Sequence, residues 1–192
     1  MSTVFGPVVQ QGYVVPDIDK AIEHWAARGV GPFFVEHLKD FDGVVDGEAK
    51  KLELKAGFAY SGDQQIEIIQ PCGDEACIYE EYLRTNPQGG LQHLAVWVDN
   101  IEDKLAELKE KGMNYTVRQR YGDGHAYIDS DDQPGVMIQL MARGEAIEAM
   151  FDIVKAGAED WDGKTDPARS IDWSTGQAVI VPYKSIEAHS FA

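Results

Sequence analysis

Two stretches of this chain follow one course. VQQGYVVPDIDKAIEHWAARGV, ending at Val30, and GLQHLAVWVDNIEDKLAELKEKGM, from Gly90 to Met113, each run through a short apolar strand, an Asp or Asn beside Ile, an amphipathic helix, and a basic residue followed by Gly and a hydrophobe. Gln10 matches His93, Gly12 matches Ala95, Val15 matches Val98, Ile18 matches Ile101 and Gly29 matches Gly112, all 83 residues apart. A fixed offset of this kind marks one supersecondary unit used twice, each copy having an apolar face to bury. Any fold for this chain has to hold two like halves.

Val8 to Val15 and Leu91 to Val98 read as strands. Ile18, Ala21, Ile22 and Trp25 then fall on one helical face, as do Ile101, Leu105 and Leu108. Asp17 and Asn100 stand as N-caps, Gly29 and Gly112 as C-caps. In the first half GPFFVEHLKD, KLELKAGFAY and QQIEIIQP follow as strands, with a loop around FDGVVDGEAK. In the second, NYTVRQRY, HAYIDS and VMIQLMAR follow, the last two joined by DDQPG. Glu67 and Gln139 close their halves 72 residues apart, so 11 residues of extra loop fall in the first half. The expected fold is α+β: two βαβββ modules, at 1–73 and 91–143, forming an open barrel-like cup with the helices outside. A connector helix and loop occupy 74–90, and a C-terminal helix and tail occupy 144–192. In that tail Ile147, Met150, Phe151 and Val154 give one apolar helical face, EDWDGKTDPARSIDW is irregular, and QAVIVPYKSI reads as an edge strand. The tail is expected to pack on its own domain or on a partner subunit, with a lid over a site as the sharper alternative.

Charge narrows the partners. Against 33 acidic residues stand 17 Lys and Arg, a net charge of −16 that repels a nucleic-acid backbone or an anionic membrane surface. Cys72 and Cys77 lack the second pair that a zinc knuckle or disulfide framework needs, and read as reduced thiols. No basic-then-apolar leader opens the sequence and no apolar run reaches about 18 residues, so the expectation is a cytoplasmic protein. A homodimer is expected, with the helix near Met150 or the strand near Ile180 at the contact.

Strand alternation sorts the polar residues. Leu94, Val96 and Val98 share the helix-covered face of their strand, leaving His93, Ala95 and Trp97 on the other; the same parity puts Gln10, Gly12 and Val14 on the equivalent side of the first strand. With Glu67 and Gln139, one polar residue per key strand points inward. An imidazole, a carboxylate and two amide oxygens on one concave face form a ligand set for a divalent ion, Zn, Co, Ni, Mn or Fe, with room for water or substrate. The alternative for each is a hydrogen-bonded polar residue in an ordinary cavity. Val14, Ile69, Trp97, Met137 and Met141 supply a greasy lining for a small-molecule substrate, with core packing as the alternative.

At these residues the chain resembles the vicinal oxygen chelate superfamily, which includes glyoxalase I, methylmalonyl-CoA epimerase, extradiol dioxygenases and bleomycin-resistance proteins. The resemblance spans about Val8 to Arg143, on QQGYVVPDIDKAIEHW, GVGPFF, IEIIQP, LQHLAVWVDNIEDKL and PGVMIQL, and QHLAVWVDNI is most similar to the methylmalonyl-CoA epimerase branch. It implies metal ligands at Gln10, Glu67, His93 and Gln139, the set that parity had assembled. It also exposes a departure: relatives usually carry Glu, as ligand and base, where this chain has Gln139, and an amide accepts no proton near neutral pH.

Three functions compete. The first is a glyoxalase-like metal-dependent isomerase, epimerase or lyase, with Glu67 as the catalytic base beside a substrate carbonyl. Tyr60, His125 and Tyr127 are reserve acids or bases near strand ends. The second is a metal-free binder of an apolar small molecule. The third is an extradiol dioxygenase, which needs two His and one carboxylate; the ligand positions supply one His, and His24 and His37 match none of them.

Overall fold

The computed structural model describes residues 3–130, 135–174 and 178–183, with the backbone of 189–190. The elements run β1 (Val8–Val14), α1 (Ile18–Ala26), β2 (Phe33–Val45), β3 (Glu48–Ser61), β4 (Gln64–Pro71), α2 (Ile78–Thr85), β5 (Gly90–Val98), α3 (Ile101–Glu110), β6 (Thr116–Tyr121), β7 (His125–Asp129), β8 (Met137–Ala142), α4 (Glu145–Glu159), β9 (Ala168–Asp172), β10 (Val179–Pro182) and β11 (His189–Ser190). The repeat is thus βαβββ twice. Its eight strands lie in the order β2-β3-β4-β1-β5-β8-β7-β6.

Local signals set the helix ends in both copies. Asp17 accepts from the backbone N–H of Lys20 at 3.1 Å, and Asn100 from that of Asp103 at 3.0 Å. Gly29 and Gly112 take φ of +79° and +75°, a conformation that costs glycine little. The next residues, Val30 and Met113, then return their N–H groups to the carbonyls of Trp25 and Leu108. Ile18 and Ile22 of α1 pack on Phe33, Val35 and Ile68, while Ile101 and Leu108 of α3 pack on Val96, Ile128 and Leu140. Each module therefore owns a core between its helix and the outer face of its sheet.

The modules meet along β1 and β5, which pair antiparallel with Gln10 opposite Ala95 and Gly12 opposite His93. Exchanging equivalent residues turns the first pair into the second, so the register itself obeys a local two-fold. In each half the first strand runs parallel to the fourth, β1 beside β4 and β5 beside β8. The four central strands are β4-β1-β5-β8, one for each inward polar residue.

The stretch around FDGVVDGEAK, expected as a loop, is instead a long arm. β2 and β3 continue through it and turn only at Asp46 and Gly47, whose φ values of +49° and +86° suit a tight two-residue hairpin. The signal was the Asp-Gly pair. At the end of this arm Val44 and Val45 pair with Arg120 and Gln119 of β6, which closes the cup into a barrel at one rim.

Away from that rim the free edge of β2 is taken by the C-terminal extension. β9 pairs parallel with it, Phe33 to Ala168 through Val35 to Ser170, and β10 pairs with β9 as the outermost strand. β9 lies in ARSID, inside a segment expected to be irregular. Of the DDQPG turn only Gly135 is among the described residues, as are only Ala178 to Tyr183 of QAVIVPYKSI. No helix among the described residues is long and apolar enough to cross a membrane.

Candidate active site

Gln10, Glu67, His93 and Gln139 converge from β1, β4, β5 and β8 on the inner face, and all four are buried. Register explains the convergence. Glu67, Gly12 and His93 form one row across β4-β1-β5, and Gln10, Ala95 and Gln139 form the next row across β1-β5-β8. The middle positions are the smallest residues available. A Cβ added at Gly12 would lie 1.9 to 2.4 Å from three atoms of the His93 ring, so the imidazole occupies the space that a side chain there would fill.

His93 is held on both nitrogens, Nε2 at 3.0 Å from Glu67 Oε2 and Nδ1 at 2.7 Å from Gln92 Oε1, with the Tyr127 ring edge-on at 5.1 Å. Gln10 donates through Nε2 to Gln65 Oε1 at 2.7 Å, and Gln139 through Nε2 to the Tyr127 hydroxyl at 2.9 Å. Each amide nitrogen therefore has an acceptor. Their Oε1 atoms are buried with no hydrogen-bond partner among the described residues, a costly arrangement for an acceptor. Two such oxygens beside a carboxylate and an imidazole fit a divalent cation's needs. Among the described residues no group of three or more His, Cys, Asp and Glu is placed to hold a metal, and this set contains two such residues with two amides.

The four residues lie at a cavity of about 350 Å³ that Gln10, Glu67 and Gln139 help to line. Its walls are mostly apolar, with Leu54 and Phe58 from β3 and Ile147, Met150 and Phe151 from α4. The C-terminal helix thus covers the mouth of the cup. Of the expected lining, Ile69 and Met141 border this cavity. Val14, Trp97 and Met137 do not. Val14 is sealed in a cluster with Cys77, Ile78 and Tyr79, because α2 plugs that end of the barrel. Met137 faces the same plug and takes a contact from Gln92 Nε2. Trp97 is covered by Phe151, 4.9 Å away, and by the Arg143 guanidinium.

Of the reserve groups, His125 and Tyr127 line the cavity, and Tyr60 lines a separate groove beside Trp161. Burial lowers the His125 pKa, favouring the neutral ring, and pushes the Tyr127 phenol well above its ordinary value. His24 lies on α1 with its carbonyl bonded to Arg28, and His37 pairs with Glu53 at 2.8 Å; neither borders the cavity.

One cavity carboxylate was not anticipated. Glu36 lines it and accepts from the Trp173 indole N–H at 3.0 Å. Burial pushes its carboxyl up to about 7, against the lowering effect of Trp173 and with a further rise from the Glu67 charge. The alternation in FFVEHL carried the signal, since Phe33 and Val35 pack under α1 while Glu36 and Leu38 face the cavity.

Comparison with known proteins agrees with this architecture. Methylmalonyl-CoA epimerase from mitochondria of Bos taurus is 28% identical over 133 residues, covering 66% of this chain and 68% of that protein. The crystal structure of methylmalonyl-CoA epimerase from Mycobacterium tuberculosis matches with a TM-score of 0.54 at 19% identity, covering 78% of this chain and 96% of that one. A Streptomyces coelicolor methylmalonyl-CoA epimerase variant solved with 2-nitronate-propionyl-CoA matches with a TM-score of 0.50 at 18% identity, covering 72% and 97%. A family model described as the Glyoxalase/Bleomycin resistance protein/Dioxygenase superfamily matches residues 9–128, most of both modules. With the duplicated βαβββ barrel and its inward-facing residues, that match identifies the chain as a member of this superfamily.

Proposed function

We propose that the chain is a metal-dependent enzyme, an isomerase, epimerase or lyase, that moves a proton next to a carbonyl of a small molecule. One observation carries the reading: the buried His93–Glu67 pair and the two unpartnered amide oxygens of Gln10 and Gln139 meet beside an apolar cavity. A divalent ion held by Gln10, Glu67, His93 and Gln139 would supply the positive charge that makes a proton beside a carbonyl easier to remove. Glu67 is the carboxylate of that set and its proton acceptor; Gln139 orients and accepts no proton. Nδ1 of His93, bonded to Gln92 Oε1, orients the ring, and Nε2, which faces Glu67 Oε2, is the nitrogen that would bind the ion. Phe58, Ile69 and Met141 exclude water and seat an apolar substituent. The relationship to methylmalonyl-CoA epimerases supports epimerisation among the three reactions, and acyl thioesters as the first substrates to try.

The test is elemental analysis of dialysed protein, together with NMR of α-proton exchange into deuterium oxide for acyl-thioester and 2-oxo compounds. Retained metal and catalysed exchange are expected. A metal-free, inert protein that still takes up apolar ligands would move the chain to the second reading, a binding protein, which the mostly apolar walls favour. We place the activity in a cytoplasmic homodimer with β10, the outermost strand, beside the contact. A monomer mass by light scattering removes that assembly.

A further inference from the structure

Among the described residues lining the cavity, Glu36 and Glu67 are the two acids, and they stand on β2 and β4, the strands on either side of β3. Glu67 pairs across the sheet with Phe58, and Phe58 with Phe34. Glu36 lies one side-chain row away, opposite Ala56, whose partner on β4 is Ile69. One strand, β3, therefore lies between those that carry the carboxylates, about 10 Å across the sheet for two strand spacings, with Ala56 and Phe58 between them. Glu36 thus lies off the row that joins Glu67 to His93, on the β2 side of the cavity. Trp173 comes from the segment after β9, beyond the residues that match the family. Its indole N–H, a donor only, fixes Oε2 of Glu36.

The titratable groups sharing the cavity are Glu67, His125, Tyr79, Tyr121 and Tyr127, while β3 and α4 present only apolar side chains to it. On β9 the nearest cation, Arg169, lies over the Phe34 ring. Among the described residues that line the cavity there is no Lys or Arg to hold Glu36 as an ion pair.

We propose that Glu36 is a second proton-handling group of this cavity, acting on the bound molecule from the β2 side while Glu67 acts from β4, and that Trp173 of the C-terminal extension is its positioning residue. The proposal rests on the proton-transfer reading above. Glu67, as carboxylate, takes the proton from the carbon beside the carbonyl, and the C–H electron pair passes into the carbonyl. Glu36, as carboxylic acid, then gives that carbon a proton from the β2 side, and the electron pair returns to the carbonyl. Glu67 ends protonated and Glu36 ionised, and the reverse turnover or exchange with water resets both. A carboxyl titrating near 7 suits a group that must both give and take a proton near neutrality.

The experiment uses the full chain, metal-loaded, with methylmalonyl-CoA as probe in deuterium oxide. NMR follows α-proton exchange, and chiral analysis follows epimer interconversion. In parallel, carbon-13 titration of the Glu36 carboxyl is run on wild type and Trp173→Phe without added metal. Glu36→Gln is expected to keep exchange at one epimer while interconversion falls about 100-fold. Trp173→Phe is expected to move the Glu36 midpoint upward, and the pH profile of interconversion with it, at unchanged KM. Wild-type interconversion by Glu36→Gln, or a Glu36 midpoint in the ordinary carboxylate range that Trp173→Phe leaves unmoved, overturns the proposal and leaves the proposed function standing. A wild-type protein that neither exchanges nor interconverts overturns the proposed function, and the proton-handling role of Glu36 falls with it.

Discussion

The two halves of the barrel share a backbone plan and divide the chemistry unequally. Glu36 of β2 corresponds to Gln119 of β6 at the 83-residue offset, Glu67 to Gln139 at the 72-residue one, and the cap Asp17 to Asn100. The first half holds carboxylates where the second holds the matching amides. An ionised carboxylate only accepts hydrogen bonds, whereas an amide accepts on one side and donates on the other, so it can be stitched into a network. Gln119 does this, accepting from the backbone N–H of Ile78 at the start of α2 and donating to the Tyr121 hydroxyl. Gln139 donates to Tyr127. The second half has become the scaffold around which the first half's acids are exposed to the cavity. The segments after each module repeat the exchange: α2, after the first, bonds Gln119 in the second, and Trp173, after the second, bonds Glu36 in the first.

Matched substitutions probe this division. The largest contrast is expected between His93→Ala and Gln10→Ala, at equivalent positions. Loss of His93 leaves Glu67 buried without its partner, costs about 3 kcal/mol or more in urea denaturation, and abolishes metal retention on dialysis. Loss of Gln10 costs about 1 kcal/mol and weakens retention only partly. Next is Gly12→Ala against Ala95→Gly. The added methyl collides with the His93 ring and is expected to cost about 2–3 kcal/mol, while the reverse change costs about 1 kcal/mol. Equal costs would deny Gly12 its special role.

Moving the acid between halves sharpens the comparison further. Glu67→Gln alone should weaken metal binding by on the order of tenfold, about 1.4 kcal/mol, in a chelator competition. Adding Gln139→Glu should restore the affinity; failure to do so means the two positions do not address one ion. A smaller effect is expected in the pH dependence of stability. The Glu36 carboxyl, raised from 4.5 to about 7 in the fold, binds more protons folded than unfolded between those values. Wild-type stability should therefore fall as pH rises from about 4.5 to 7, by about 1 kcal/mol given the partial exposure of the group, and Glu36→Gln should remove that slope. The smallest effects are expected at the caps, where Asp17→Ala and Asn100→Ala each cost about 0.5–1 kcal/mol in thermal unfolding.

The repeat made the modules, their caps and the four converging residues legible, because an offset fixes equivalent positions and strand parity fixes their side. Parity has nothing to say about which end of a barrel is plugged. Alternation puts Val14 and Met137 on the lining side of the sheet, and what covers them depends on where α2 docks, a tertiary choice made through Ile78 and Tyr79. Glu36 obeys the same alternation in FFVEHL, on a strand outside the central four. ARSID hid as a strand since Asp, Gly and Pro crowd the residues before it, and its pairing partner on β2 lies more than a hundred residues back.

That distant pairing sets the order in which the molecule can become competent. A chain emerging from the ribosome has both modules available once residue 143 is out, and their contacts let the barrel assemble. β9 must still find Phe33 to Val35 across a separation that makes loop closure slow, and Trp173 reaches Glu36 only after it does. A nascent or truncated chain ending before β9 therefore carries all eight module strands, with Gln10, Glu67, His93 and Gln139 among them, and lacks the indole that tethers Glu36.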